Sequence, residues 1–313
     1  MSAWVRSILT GACALAAGPA LAATVVVGVP AWPSAEVTAS IIGKVLEEHY
    51  GVAVRLRPIG SMELLGAIDR GEVDIHPEIW LPNLQSFVDD YAKSVVVADY
   101  GVTAMQGLCT TRDTVEATGI KSVGDLAKPE MAAYFDTDED GKGEMWIGPA
   151  SWSSARIERV RAKSYGYADT MMLLNMPEDM AMASIDAAAA LGQPVVFYCY
   201  SPHYVFALHD IVRLEEPPHD PATWTIVQAE DDPAWLAHST AASAWEPSHF
   251  HIGYARALAD DQPAIVAFLQ HIALTEDDAA MMSYAVHVEG RAPDAVADAW
   301  LADNKERIEE WVK

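Results

Sequence analysis

Four aromatic residues follow segments that the sequence predicts to be β-strands. In open α/β sheets, ligands bind beyond the carboxyl ends of the strands, so these rings are expected to meet at one cleft. Aromatic faces attract a positive charge through their quadrupole, and each desolvated contact contributes roughly 1–2 kcal/mol. The candidates for an aromatic box around a quaternary ammonium ion are Trp32, Trp80, Trp152 and Tyr200.

The remaining groups of such a site would be polar. Three or four aromatic faces supply roughly 4–8 kcal/mol, and a micromolar dissociation constant requires about 8 kcal/mol, so one polar anchor suffices. Ser153 and Ser154 stand at the start of a predicted helix, whose first N–H groups and positive dipole end attract a carboxylate or an N-oxide. Glu78 would add negative potential near the cation, although a solvated loop acid is an equally simple interpretation.

Residues 136–144 form a second motif, Asp-Thr-Asp-Glu-Asp-Gly-Lys-Gly-Glu. Carboxylates at positions one, three and five with glycine at position six allow a tight turn to wrap one Ca²⁺ ion. The predicted ligands of a structural calcium ion are Asp136, Asp138, Asp140, the Lys142 carbonyl and Glu144. Ile147 occupies position twelve, where an EF-hand has a bidentate glutamate, and the alternative is an acidic hairpin tip without an ion.

The elements that must position these residues follow a β-α-β-α-β order in the first third of the chain. The pattern predicts strands over 24–29, 52–58 and 73–76, helices over 35–49 (capped by Ser34) and 62–70, and a loop over 77–82. Strands and helices also alternate in the middle of the chain. In the C-terminal part, helices are predicted over 252–258, 263–272, 276–284 and 294–312. This order predicts an α/β protein with mostly parallel sheets flanked by helices.

Composition and the N-terminus restrict the class of protein. A net charge of −25 argues against nucleic acid and anionic membranes as partners, because phosphates would be repelled. Residues 1–22 combine a positive start, a short apolar stretch and an Ala-Leu-Ala cleavage signal, which predicts a cleaved signal peptide and a periplasmic location. An exported protein can pair Cys109 with Cys199, but two buried free thiols fit the sequence equally well.

Several segments together resemble the glycine betaine/choline/trimethylamine N-oxide-binding proteins of ABC importers. The similar segments are residues 25–32, 79–82, 149–154, 198–204 and 300–304. The resemblance implies a type II solute-binding fold with two lobes, two crossover strands and a cleft boxed by Trp32, Trp80, Trp152 and Tyr200, with the Ser153 and Ser154 amides at the anionic end. The family often has Trp at the position of Tyr200, so Trp224, Trp235 or Trp245 could complete the box instead.

The residues and the resemblance together predict a monomeric periplasmic solute-binding protein that serves the membrane subunits of an ABC importer. The expected solutes are trimethylamine N-oxide or glycine betaine, then choline, with one lobe formed by 24–103 plus 219–313 and the other by 104–218. No cofactor is expected for function, and no nucleophile elbow, P-loop, G-x-G-x-x-G or H-E-x-x-H motif points to an enzyme. The alternatives are an exported metal-dependent hydrolase and a ligand-sensing domain for a membrane receptor.

Overall fold

The structure is a computed structural model that describes residues 24–313. The predicted signal peptide, residues 1–22, lies outside the described residues. Within 24–313, no helix is both long enough and apolar enough to cross a membrane.

The strands of the described chain are β1 (Thr24–Val29), β2 (Ala53–Pro58), β3 (Ile75–Leu81), β4 (Val95–Thr111), β5 (Gly143–Trp146), β6 (Met171–Leu174), β7 (Val196–Ser201), β8 (Ile211–Arg213), β9 (Trp224–Thr225), β10 (Thr240–Ala241) and β11 (Ser248–Ala255). The α-helices are α1 (Pro33–Tyr50), α2 (Ser61–Asp69), α3 (Gln85–Asp90), α4 (Arg112–Thr118), α5 (Pro129–Ala132), α6 (Ser153–Tyr165), α7 (Glu178–Leu191), α8 (Val205–Leu208), α9 (Trp235–His238), α10 (Leu258–Asp261), α11 (Pro263–His271), α12 (Glu276–His287), α13 (Pro293–Asp303) and α14 (Lys305–Trp311). Two 3-10 helices occupy Val123–Ala127 and Pro221–Thr223.

Strand β4 connects the two ends of the sheet. It pairs antiparallel with β11 along its first part, Val95 to Ala104, and antiparallel with β7 along its second part, Met105 to Thr110. The hydrogen-bonded order is therefore continuous, β2-β1-β3-β11-β4-β7-β5-β6, with β8 also paired to β4. The pairs are parallel at both outer ends (β2-β1-β3 and β7-β5-β6) and antiparallel around β4 and β11.

We refer to β1–β3, α1–α3, β11 and α10–α14 as the first half, and to β5–β10 with α4–α9 as the second half. In the first half, successive side chains of β1 point to opposite faces of the sheet. Val25 and Val27 pack in the cluster that contains α1, whereas Val26 packs in the cluster that contains α2. Burial on both faces explains why β1 is an almost uninterrupted valine segment.

Residues 221–245, which include β9, α9 and β10, pack against α6. The Lys163 ammonium in α6 donates to the Leu236 carbonyl at 2.6 Å, and the Trp245 indole donates to Glu158 of α6 at 2.8 Å. The predicted division placed this segment in the first lobe. Its contacts with α6 favour assigning residues 221–245 to the second half, with the chain returning to the first half at β11. The division into two lobes remains a prediction.

The two cysteines of the described chain are bonded to each other. Cys109 lies in β4 and Cys199 in β7, and a disulfide joins these neighbouring strands. The sequence left this pairing open, because the register that brings the two strands side by side is a tertiary feature.

Candidate functional site

Trp32 stands at the N-cap position of α1, with Pro33 as the first helical residue. Proline suits that position because its fixed φ is helical and its missing N–H has no intrahelical partner there. The prediction that Ser34 caps this helix is therefore wrong. Ser34 lies inside the first turn, and its hydroxyl donates to Glu78 at 3.2 Å.

Trp80 lies inside β3, although residues 77–82 were predicted to be a loop. The register between β3 and β11 shifts between His251 and Gly253, opposite Pro77 and Glu78. A proline cannot donate to a regular ladder, but it is tolerated at such an irregularity, so the strand continues past it. Trp80 then pairs with Phe250 and stacks on its ring at 5.2 Å.

The second half contributes Trp152 and Tyr200. Trp152 is the N-cap residue of α6, and Ser153 and Ser154 are the first two residues of that helix, as predicted. Tyr200 is the penultimate residue of β7. The Trp152 indole nitrogen is buried and has no hydrogen-bond partner within residues 24–313.

The structure brings all four predicted aromatic residues together. Ring centroids lie 5.7 Å apart for Trp32 and Trp152, 5.8 Å for Trp152 and Tyr200, and 5.4 Å for Trp80 and Tyr200. Each of these pairs is edge-to-face, with interplanar angles between 80° and 87°. Two walls come from the first half and two from the second, so the box exists only where the halves face each other.

These rings line a cavity that is open to solvent, and the empty space here, counted together with the adjoining solvent, is about 370 Å³. The lining residues are Trp32, Ser61, Trp80, Asn83, Leu84, Gln106, Trp152, Ser153, Ser154, Tyr198 and Tyr200. Among residues 24–313, no Lys, Arg, Asp or Glu lines this cavity. The walls are therefore aromatic and neutral polar, which suits an ion with a methyl-covered surface better than a ligand that requires an opposite charge.

Sequence reasoning missed Ser61, Asn83, Leu84, Gln106 and Tyr198. One signal was available for Tyr198, because residues two apart on a strand share a face and Tyr200 was already a candidate. A second signal was Gln106, a polar residue in the middle of an apolar strand that later proves 1% exposed. Ser61, Asn83 and Leu84 carry no comparable signal in the sequence.

Asn83 and Gln106 form the polar part of the wall. Their side-chain amides exchange two hydrogen bonds, of 2.7 and 2.8 Å. The Tyr198 hydroxyl donates to the same Gln106 oxygen at 2.7 Å, and the Gln106 nitrogen also donates to Ser248 at 2.8 Å. Because these groups satisfy one another's hydrogen bonds, they hold in place the side of the cavity where β3, β4, β7 and β11 meet.

Glu78 lies behind the box instead of lining it. Its carboxylate accepts the indole N–H of Trp32 at 2.6 Å and that of Trp80 at 3.2 Å, and its side chain is fully buried. Burial raises the pKa of Glu78 to about 7, against the opposing effect of the hydrogen bonds that it accepts. The interpretation of Glu78 as a solvated loop acid is therefore wrong, because one carboxylate orients two walls of the box.

The acidic loop brings its four carboxylates together. Oxygen atoms of Asp136, Asp138, Asp140 and Glu144 all lie within 4.8 Å of one another. Asp136 Oδ1 and Glu144 Oε1 are buried and lack a hydrogen-bond partner in the described structure. The backbone N–H of Lys142 donates to Asp140 at 2.9 Å. A calcium ion on these residues, including the Lys142 carbonyl, stays a prediction.

The tryptophans of the segment before β11 do not join the box. Trp224 and Trp245 lie against the Arg161 guanidinium, at 5.8 and 5.9 Å from their ring centres. Trp235 begins α9, and within residues 24–313 none of the three lines the cavity. Arg161 of α6 is fully buried, and the Trp224 and Trp245 rings stabilise its positive charge through cation–π contacts.

Residues 23–303 match the family described as the substrate binding domain of ABC-type glycine betaine transport systems, OpuAC. The chain belongs to this family. The resemblance seen in the sequence is thereby confirmed, and the family consists of solute-binding proteins, so the interpretation of the chain as a hydrolase is wrong.

Curated relatives in the family are distant. The glycine betaine/proline betaine-binding periplasmic protein of Salmonella typhimurium is 23% identical over 219 residues, which are 67% of this chain and 64% of that protein. The glycine betaine-binding periplasmic protein OusX of Dickeya dadantii is 26% identical over 118 residues, 36% of each chain. The matched region thus spans less than two thirds of the length of either relative.

Solved structures share the fold over a larger part of the chain. An ABC-transporter choline-binding protein in complex with choline superposes with a TM-score of 0.73 at 19% identity, covering 92% of this chain and 91% of that one. The glycine betaine/L-proline-binding protein ProX of Borrelia burgdorferi gives 0.72 at 18% identity, covering 93% and 97%. The predicted fold class, an α/β type II periplasmic binding protein, is confirmed.

Proposed function

We propose that this chain captures a small trimethylammonium compound between two lobes in the periplasm and, as a monomer, delivers it to the membrane subunits of an ABC importer. Membership of the family supports solute capture, and the named functions of the relatives supply the class of solute. The observation that carries the proposal is the convergence of three indoles and one phenol from opposite halves on a cavity without charged lining residues.

The energetics of such a box fit a permanently charged, methyl-covered nitrogen. A quaternary ammonium is weakly hydrated, so replacing its water by aromatic faces costs little and retains attraction to each ring. Four rings that are between 6% and 8% exposed are already desolvated and ordered. Such preorganisation lowers the entropy that binding must overcome.

The anionic end of the solute would face the first turn of α6. Ser153 and Ser154 begin this helix, whose first N–H groups and positive dipole end attract negative charge. Arg156, which lies in this turn, makes two 2.7 Å hydrogen bonds to Glu230 and is thus engaged elsewhere. With no guanidinium available to a carboxylate, we rank trimethylamine N-oxide first, glycine betaine second and choline third.

Isothermal titration calorimetry of the mature protein with these three compounds tests the proposal. We expect at least one dissociation constant in the micromolar range, without any product formed from the solute. Absence of binding by all three compounds would overturn the proposal. Uptake of the tightest compound by cells that carry the importer, measured with and without this protein, then tests delivery separately from capture.

A further inference from the structure

The Tyr200 wall of the box is held by a second buried carboxylate. Glu178 is the first residue of α7 and is 4% exposed. Its Oε1 accepts the Tyr200 hydroxyl at 2.5 Å. The arrangement in the second half therefore parallels that of Glu78 in the first half. In each case a buried carboxylate accepts a hydrogen bond from an aromatic side chain of the box.

Two imidazoles face the same carboxylate. His203 Nε2 lies 3.3 Å from Glu178 Oε1, and His287 Nε2 lies 3.8 Å from Oε2. His203 Nδ1 accepts the backbone N–H of Val205 at 3.2 Å, so a proton on this ring sits on Nε2, the nitrogen that lies nearer to Glu178. That tautomer also leaves no Nε2 lone pair for a metal ion. Burial raises the pKa of Glu178, but the two imidazoles outweigh it and hold the pKa at about 2.

This cluster spans the cleft. Glu178, His203 and Tyr200 belong to the second half, whereas His287 is the last residue of α12, which packs on α1 in the first half. Glu36 of α1 also faces the cluster, and burial together with the charge of Glu178 raises the pKa of Glu36. A contact between His287 and Glu178 is thus made only when the two halves are as close as they are here.

We propose that Glu178 is a positioning residue for the solute box, which orients Tyr200, enriches its ring in electron density and links that ring to closure of the cleft through His287. A hydroxyl that donates to a carboxylate shifts electron density into its ring, and a fixed anion behind the ring adds to the potential felt by a cation. Tyrosine is a weaker partner for cations than tryptophan, and this acid compensates for the difference. The proposal rests on the proposed function, because it assigns Glu178 a role only if the box binds a cation.

A double-mutant cycle tests the proposal, with the tightest of trimethylamine N-oxide, glycine betaine and choline as the probe. We expect Glu178→Gln to weaken binding about tenfold in the natural protein but less than threefold in a Tyr200→Phe background, because the acid acts through the tyrosine. Asp179→Asn is the matched control, since it removes one exposed charge from the adjacent position and should leave affinity unchanged. Equal effects of Glu178→Gln in both backgrounds would overturn the proposal.

A second measurement separates this role from a purely structural one. The probe is compared by competition with its tert-butyl isostere, in which carbon replaces the positively charged nitrogen. The isostere is tert-butanol for trimethylamine N-oxide, 3,3-dimethylbutanoate for glycine betaine and 3,3-dimethylbutan-1-ol for choline. Glu178→Gln should reduce the preference for the compound with the quaternary nitrogen, and equal weakening of both compounds would contradict the proposal. If Glu178→Gln does not fold, His287→Gln replaces it in the natural protein and in the Tyr200→Phe background. Equal effects of His287→Gln in both backgrounds would contradict the proposal. Failure of every probe to bind the natural protein would instead reject the proposed function.

Discussion

The walls of the box differ in what holds each ring. Trp32 and Trp80 share Glu78 as a hydrogen-bond acceptor, and Tyr200 donates to Glu178. The Trp152 indole nitrogen has no partner within the described chain. Two buried acids therefore fix three walls without touching the cavity, and the roles of these residues in binding stay predictions that substitution tests.

Replacing Trp80 with alanine should weaken binding of the tightest trimethylammonium compound more than tenfold. The substitution removes one aromatic face and also takes a donor away from Glu78. Calorimetry on Trp80→Ala measures the loss, and Trp235→Ala serves as the control because that indole does not line the cavity. Unchanged affinity of Trp80→Ala would remove this residue from the box.

The pH dependence of stability should report Glu78. Burial raises the pKa of Glu78 from 4.5 to about 7. Between pH 4.5 and about 7, Glu78 is therefore protonated in the folded protein but ionised in the unfolded chain. The contribution of Glu78 to the free energy of unfolding is therefore largest below about pH 4.5 and falls, by at most about 3 kcal/mol, as pH rises to about 7. Urea unfolding of the natural protein and Glu78→Gln at pH 5 and pH 8 measures the difference; parallel pH profiles would contradict this assignment.

A bound cation should lower the pKa of Glu78, because a nearby positive charge favours the ionised carboxylate. Affinity for the cation is then expected to rise as pH increases through about 7, with release of a proton on binding. Calorimetry in buffers of different ionisation enthalpy measures the proton count. The same titration of Glu78→Gln should show no such release, and identical counts for the two proteins would refute the coupling.

At the scale of elements, local signals predicted the starts of the helices near the site to within two residues, but they did not predict the strand that carries Trp80. Residues 77–82 contain two prolines and therefore indicated a loop, whereas the bulged pairing with β11 keeps them extended. The helix predicted over 252–258 is wrong for a related reason, since most of it belongs to β11. That strand forms between β3 and β4, two partners more than 140 residues earlier in the chain, and no local propensity encodes them.

The loop over residues 136–144 should bind calcium and stabilise the fold. Four converging carboxylates repel one another without a cation, and two of their oxygens are buried without partners. Calcium at 100 times its dissociation constant would stabilise the folded state by about 2.7 kcal/mol. Thermal unfolding with Ca²⁺ and with a chelator measures the shift.

The matched pair for this loop is Asp138→Asn and Glu139→Gln. Both remove one charge, but only Asp138 belongs to the carboxylate cluster. We expect Asp138→Asn to abolish most of the calcium-dependent shift and Glu139→Gln to retain it. A chelator without effect on the natural protein would leave an acidic hairpin tip as the interpretation.

At the scale of the whole molecule, the site consists of contacts between the two halves. Besides the rings, the Ser61 hydroxyl donates to the Ser151 carbonyl at 3.2 Å, and Gln228 donates to Ser86 at 3.0 Å. The Glu178–His287 pair also joins the halves. Two-domain binding proteins make contacts of this kind when a hinge motion closes them on a ligand.

Solute binding should therefore compact the protein. We expect the radius of gyration from small-angle X-ray scattering to fall when the tightest trimethylammonium compound is added. Trp152→Ala, which removes an inter-half ring contact as well as a wall of the box, should show a smaller change at the same concentration. A radius that does not respond to saturating solute would contradict closure.

The sequence by itself determined the fold class and the family, and it predicted the four aromatic residues that the structure brings together. Helix starts and strand ends are local features that lie near ligand clefts in α/β sheets, and they identified Trp32, Trp80, Trp152 and Tyr200 as candidates, although Trp80 lies inside β3. Only the tertiary structure decided what stands behind and between those walls. Glu78, Glu178, the Asn83–Gln106 pair and the Cys109–Cys199 bond depend on which distant strands and helices become neighbours. That choice is made by packing over long sequence separations, and the local pattern of residues does not contain it.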